Sequence, residues 1–179
     1  FVLDAINGGG NIKYIIATPD YVKDYKDAIE VSEEVFDYIS TTKTPQGVLA
    51  VLEIEYKTLE DIKESANILY LDNLQDSENV GGLIRSSVCA DFDGVVITKT
   101  TASPFSAKAV RASAGSILNT KIIKDEDYVV LNELKEKGFE IIASTLRGSE
   151  KNDFNSKKNV LIVGNEGNGI SDECLTYAT

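Results

Sequence analysis

A chain of 179 residues, 42% hydrophobic and 26% charged, is long enough to bury one good core or a small domain beside a medium one, which places it among globular proteins. No apolar run reaches the length of a membrane span, and the opening FVLDAINGGG lacks the basic and apolar regions of a secretory signal, so no membrane partner is expected and the cytoplasm is the expected compartment. A formal charge of −11 argues against indiscriminate nucleic-acid binding, which would here need a local basic patch; with no histidine, and with Cys89 and Cys174 outside any CxxC spacing, no metal site is expected and proton transfer falls to Asp, Glu, Lys, Arg or water.

In chain order, Gly8 to Gly10 end a short helix, and NIKYIIATPD has the β-branched and aromatic run of a strand closed by a turn at Pro19 and Asp20. SEEVFDYIS predicts a helix behind a Ser32 cap, with Val35, Phe36 and Ile39 on one face. A turn at Pro45 and Gly47 leads into a strand over 48–54, completing a small α/β unit over 1–55. The polar stretch 56–66 is read as a linker. Beyond it, over 67–179, strands at 68–71, 94–98, 121–123, 140–144 and 159–163 alternate with helices from about Val80, over 106–114 and over 128–137. That alternation implies a parallel α/β sheet with helices on both faces and ligands beyond the carboxyl ends of its strands.

Three stretches carry side chains suited to chemistry. In DSENVGGLIRSSVC, Val80, Leu83, Ile84, Ser87 and Val88 form the buried stripe of a helix starting near Asn79, and Arg85 stands beside it. Because helical side chains lean toward the N-terminus, Arg85 is expected to reach over bare backbone at Gly81 and Gly82 toward the ligand end of the sheet. The plainer reading is a packing arginine, with Asn79 as an ordinary cap. In NVLIVGNEGNGIS a strand ends in three glycines within six residues, Gly164, Gly167 and Gly169, which permit left-handed turns and close approach of a ligand to the backbone. The loop matches neither a Walker loop nor a dinucleotide fingerprint, and it suits an adenosine group held by main-chain donors and acceptors; alternatively it is only a tight strand-to-helix turn. Between them, SPFSAKAVRASAGS puts Lys108 and Arg111 on one helical face with Ser113 following, suited to a phosphodiester backbone or simply to solvent.

Taken together, LDNLQDSENVGGLIRSS, ASPFSAKAVRASAGS and LIVGNEGNGIS resemble, in this order, the SpoU branch of the SPOUT superfamily, the knotted ribose 2′-O-methyltransferases of ribosomal and transfer RNA. EVSEEVFDYISTTKTPQGVLAVL resembles the end of the L30e-like RNA-binding domain that precedes the methyltransferase in many members. The resemblance implies a C-terminal trefoil knot, a homodimer, and S-adenosylmethionine-dependent methylation of a ribose 2′-hydroxyl, with 23S ribosomal RNA as the expected substrate. A tRNA-directed enzyme, or an RNA-binding module without catalysis, are the alternatives. By the same resemblance Asn79 and Arg85 match the catalytic pair. Thr145, Gly164, Glu166, Gly169 and Ile170 match the donor site, and Lys108, Arg111, Ser113, Lys13 and Gln46 are the expected RNA contacts. The family's third motif, Ile-Pro-Met followed by Ser-Leu-Asn, is not reached before the sequence stops at CLTYAT. The chain is therefore expected to be a piece of a longer protein.

Overall fold

The structure, a computed structural model, describes residues 2–8, 10–64, 66–146 and 157–179. The chain forms two compact units, Phe1–Ile54 and Glu55–Thr179.

In the first unit, helix α1 (Val2–Asn7) precedes strand β1 (Ile12–Ala17), which lies between β2 (Ile29–Glu30) and β3 (Val48–Leu52) in a three-stranded sheet. β1 runs parallel to β2 and antiparallel to β3. Helix α2 (Glu33–Ile39) starts where the sequence places it, because the Ser32 hydroxyl accepts the Val35 amide at 3.3 Å. The expected apolar face does not form, since only Phe36 is buried and Val35 and Ile39 are exposed. β2 has no sequence signal: two residues are too few for a period, and both are exposed.

The second unit is built on a five-stranded sheet in the order β6-β5-β4-β8-β7, in which every pairing is parallel. Its strands are β4 (Asn67–Asp72), β5 (Gly94–Thr98), β6 (Ile122–Asp125), β7 (Glu140–Ala143) and β8 (Asn159–Gly164). Burial on both faces explains their unbroken Val/Ile/Leu runs, and β5 is buried along its whole length. One face packs Ile68, Tyr70, Val96, Val160 and Ile162 against Leu131 and Leu134 of helix α5 (Val129–Glu136). The other packs Leu69, Leu71, Val95 and Ile97 against Val80 and Ile84 of helix α3 (Ser77–Cys89). Truncating a fully buried residue such as Ile84 to alanine costs roughly 2–5 kcal/mol in such a setting. β8 lies between β4 and β7, with Asn67 opposite Asn159 and Asp72 opposite Gly164.

The stretch read as a linker over 56–66 belongs to this second unit in its described residues. The Lys57 amide donates to the Ile122 carbonyl at 2.8 Å, the Tyr56 ring meets Phe105 edge-on at 5.3 Å, and Leu59 and Ile62 pack on the core. Its polar residues conceal an apolar Leu59–Ile62 pair at helical spacing. Among the described residues no helix is long and apolar enough to cross a membrane.

Candidate active site

Two loops meet beyond the carboxyl ends of β4 and β8. The first follows β4 and enters α3, whose N-cap is Asp76: its carboxylate accepts the Glu78 amide at 2.8 Å. Asn79 is therefore not a cap but a residue of the first helical turn, with its side chain free for another task. It donates to the Glu166 carboxylate at 2.9 Å, joining positions 87 residues apart in sequence. The first and second glycine-containing stretches thus meet through the side chains singled out in each.

The second loop is closed by its own backbone. Asn165 and Gly169 exchange amide-to-carbonyl bonds at 2.8 and 2.9 Å, and the Asn165 side-chain oxygen accepts the Gly167 and Asn168 amides at 2.9 Å each. Gly169 has φ +73°, a left-handed conformation that disfavours any side chain with a Cβ. A Cβ on Gly164 would stand 2.3 Å from both the Gly169 carbonyl carbon and the Ile170 nitrogen. Two of the three glycines are thus accounted for by loop closure itself. What the closure leaves on the surface is Glu166, Gly167 and Asn168, all exposed. An adjoining groove of about 380 Å³ is lined by Leu74, Glu78, Asn79, Gly82, Leu83 and Ser86 on one side and by Val163, Gly164 and Glu166 on the other.

Arg85 is exposed and, among the described residues, forms neither an ion pair nor a hydrogen bond. Its surroundings differ from the sequence expectation at one glycine. Gly81 is buried against helix α4 (Ala107–Ala112), where a Cβ would meet the Ala109 carbonyl oxygen at 2.3 Å; only Gly82 is bare, with nothing within 4 Å. At about 100° per residue, Arg85 leaves α3 between the direction of Gly81, toward α4, and that of Gly82, Ser86 and Asn79, toward the groove. It therefore flanks the groove rather than lining it.

Of the expected RNA contacts, Lys108 and Arg111 are exposed and, among the described residues, without ionic or hydrogen-bond partners. They flank Ala109 and Ala112, which pack against Gly81. Ser113 is a correction: it is fully buried, and its hydroxyl donates to the Val110 carbonyl at 2.8 Å, so it presents nothing to a ligand. Lys13, in the first unit, is already committed to Glu53 at 2.8 Å. That lysine, as hydrogen-bond donor and as charge, holds the Glu53 carboxyl below its ordinary range, with Asn11 also donating. Gln46 is exposed in the turn before Gly47. Thr145 is exposed just beyond β7, at the carboxyl end of the sheet. Ile170 is half-buried and packs against the core face that holds Cys174. Cys174 is buried, and desolvation together with the Asp72 and Asp125 charges pushes its thiol up to about 12, which makes it inert at neutral pH.

Glu166 titrates below its ordinary value, first because Asn79 donates to the charged form and also because backbone amides donate to it, with burial acting in the opposite direction. A carboxyl lowered on folding stabilises the folded state above its unfolded pKa, and that contribution disappears as pH falls through the lowered value. We expect the Asn79–Glu166 tie to hold throughout neutral pH and to fail only below the ordinary carboxylate range. Carboxyl NMR titration checks this: Asn79→Ala should move Glu166 upward toward its usual value, and an unmoved titration would show that the bond contributes nothing.

The fold and this junction define a parallel α/β protein with a backbone-closed glycine loop tied by a side chain to an arginine-bearing helix. Residues 66–179 match the SpoU rRNA Methylase family, and the chain belongs to that family. Among curated relatives, the 23S rRNA (guanosine(2553)-2′-O)-methyltransferase RlmP of Bacillus subtilis is 29% identical over 181 residues, spanning 97% of this chain and 72% of that protein. The crystal structure of an AdoMet-bound rRNA methyltransferase from Sinorhizobium meliloti superposes with a TM-score of 0.87 at 29% identity, over 99% of this chain and 72% of that one. The SpoU methyltransferase AviRb from Streptomyces viridochromogenes shares the fold, with a TM-score of 0.87 at 18% identity over 99% of this chain and 75% of that one.

Proposed function

We propose that this protein transfers a methyl group from S-adenosylmethionine to a ribose 2′-hydroxyl of RNA, with 23S ribosomal RNA as the substrate. The observation that carries the reading is the Asn79–Glu166 bond, which joins a backbone-built loop to the helix bearing an uncommitted arginine. The chemistry of the loop fits the donor: main-chain groups around Gly167 and Asn168 suit an adenosine edge, and the exposed Glu166 carboxylate suits a cationic ligand. Bound S-adenosylmethionine would supply an electrophilic methyl group on a sulfonium.

On this reading Thr145, Gly164, Glu166, Gly169 and Ile170 form the donor site. Arg85 places its charge beside the ribose hydroxyl. A guanidinium does not give up a proton at physiological pH, so Arg85 acts by stabilising the negative charge that develops on the oxygen as its proton leaves to water. Asn79 fixes the loop against α3, so that the two reactants are held in line; alignment of this kind lowers the entropic part of the barrier. The same reading makes the first unit an L30e-like RNA-binding domain, the C-terminal region a trefoil knot, and the working form a cytoplasmic homodimer.

The RNA part of the reading is supported by three exposed cations, Arg85, Lys108 and Arg111, carried by the adjoining helices α3 and α4. Among the described residues none of the three pairs with a carboxylate, as Lys57, Lys63, Lys99, Lys124 and Lys137 do. Replacing both Lys108 and Arg111 should weaken RNA binding and reduce the slope of log affinity against log salt by roughly 1–2, since each phosphate contact contributes close to one. An unchanged slope would place the RNA elsewhere.

The decisive experiment for the function is transfer of labelled methyl from S-adenosylmethionine to ribosomal and transfer RNA, with ribose methylation mapped by nucleotide. Label on a 23S ribose 2′-oxygen is the expected result. Label on tRNA alone would replace the substrate, and RNA binding without transfer would reduce the protein to a binding module.

A further inference from the structure

We propose that Asp72 is a positioning residue for this reaction: its buried carboxylate holds the donor loop in register with the segment that leads into the Arg85 helix. The inference rests on the donor site proposed above and adds a residue to it.

Asp72 is the last residue of β4 and is completely buried, yet no cation lies within bonding distance among the described residues. Its two carboxylate oxygens have different partners. One accepts the backbone amide of Ser171 at 2.7 Å, and the other accepts the side-chain amide of Asn73 at 2.9 Å. Ser171 is where the loop ends, because its hydroxyl caps helix α6 (Asp172–Leu175) by accepting the Cys174 amide at 3.3 Å. The loop begins at Gly164, which stands directly opposite Asp72 in the β4–β8 ladder. One residue therefore fixes both ends of the loop, the entrance through its backbone register and the exit through its carboxylate.

The interior is fastened to the same stretch. The Asn165 side chain donates to the Asn73 carbonyl at 2.9 Å, and Glu166 receives Asn79. Asn73 sits in the left-handed region at φ 56°, and its amide donates to the Thr98 hydroxyl at 3.1 Å, so the turn receiving these bonds is itself held by β5. Beyond Ser171, its hydroxyl also meets the Tyr128 hydroxyl at 3.1 Å. Both donors facing the Asp72 oxygens are N–H groups, and an ionised carboxylate is the one side chain of this size that only accepts. Asparagine would turn an N–H₂ toward one of them. A buried charge is tolerated only when its acceptor sites are filled, and here the filling groups belong to the two segments that must be aligned.

The test compares Asp72→Ala, which removes the acceptor, with Asp72→Asn, which keeps one oxygen for Ser171. Donor affinity is measured by calorimetry with S-adenosylmethionine, and amide hydrogen exchange at 165–171 is followed in the ligand-free protein. Losing a hydrogen bond to a charged group corresponds to a factor of about ten or more, so Asp72→Ala should bind donor at least about tenfold more weakly, with faster exchange at Ser171. Asp72→Asn should recover most of that affinity. If Asp72→Ala does not fold, an amide-to-ester replacement at Ser171 decides, because it removes the N–H that Asp72 accepts while keeping the hydroxyl cap and adding no bulk; it should bind donor at least several-fold more weakly than wild type. Donor affinity equal to wild type in folded Asp72→Ala, equal losses in Asp72→Ala and Asp72→Asn, or wild-type affinity in the Ser171 ester would each overturn the proposal. Failure of the wild-type protein itself to bind S-adenosylmethionine would instead overturn the proposed donor site.

Discussion

Arg85→Ala should reduce methyl transfer at least about a hundredfold while leaving donor affinity nearly unchanged, because the charge acts on the reacting hydroxyl and removal of one such stabiliser typically costs that much. The structure makes this a clean substitution. Arg85 is exposed and, among the described residues, has no hydrogen bond or ion pair to lose, so neither the packing of α3 nor the stability of the unit depends on it. A fall in transfer cannot then be blamed on unfolding, and matched melting temperatures would confirm that. Single-turnover rates at saturating donor are the measurement. Near-normal turnover in Arg85→Ala would remove Arg85 from the mechanism, and a parallel loss of donor affinity would mean that it belongs to the donor pocket instead.

Gly164→Ala should abolish donor binding at micromolar concentrations through a wholly different cause. The new methyl group would stand 2.3 Å from backbone atoms of Gly169 and Ile170, which cannot turn aside as a side chain could. The loop must open, and with it goes the Asn165–Gly169 exchange of hydrogen bonds. Overpacking of this kind costs about 1–3 kcal/mol or more, all of it concentrated where the donor is proposed to sit. Gly82→Ala is the informative contrast: nothing lies within 4 Å of its added methyl, and in a helix interior alanine is favoured by about 1 kcal/mol. The first variant should lose donor binding and the second should gain stability. Calorimetry and thermal unfolding of the pair check both, and undiminished donor affinity in Gly164→Ala would show that the loop does not contact the donor.

The sequence makes the second unit's strands legible because they are buried on both sides, where unbroken runs such as GVVIT leave little choice. It does not reveal β2, whose pairing depends on β1, nor the packing of Leu59 and Ile62, which a polar stretch conceals. Within the candidate site, chain order and spacing single out Asn79, Arg85 and the glycine loop. They are silent on the tie between Asn79 and Glu166, because a contact across 87 residues leaves no local trace. Asp76 and Asn79 are equally good caps by residue type, and only the start of the helix at Ser77 assigns the cap to Asp76 and frees Asn79. Ser113 misleads for a related reason: a serine after a helix looks solvent-facing until its hydroxyl is found bonded back to the Val110 carbonyl.

The interior place of β8, between β4 and β7, bears on how the protein is made. β4 is among the first strands of its sheet to be synthesised, but its partner on one side begins only at Asn159, and β7 must wait for that same strand. While the ribosome works through the intervening residues, β4, β5 and β6 can assemble with α3 and α4, leaving a row of unpaired peptide groups along the edge of β4. β8, the last of the described strands, then has to slot between β4 and β7, a slow, non-local closure of the kind that sets folding times in parallel sheets. Any lengthening of the chain between β7 and β8 would prolong the exposure of that edge, and with it the period in which a nascent chain can pair with the wrong neighbour.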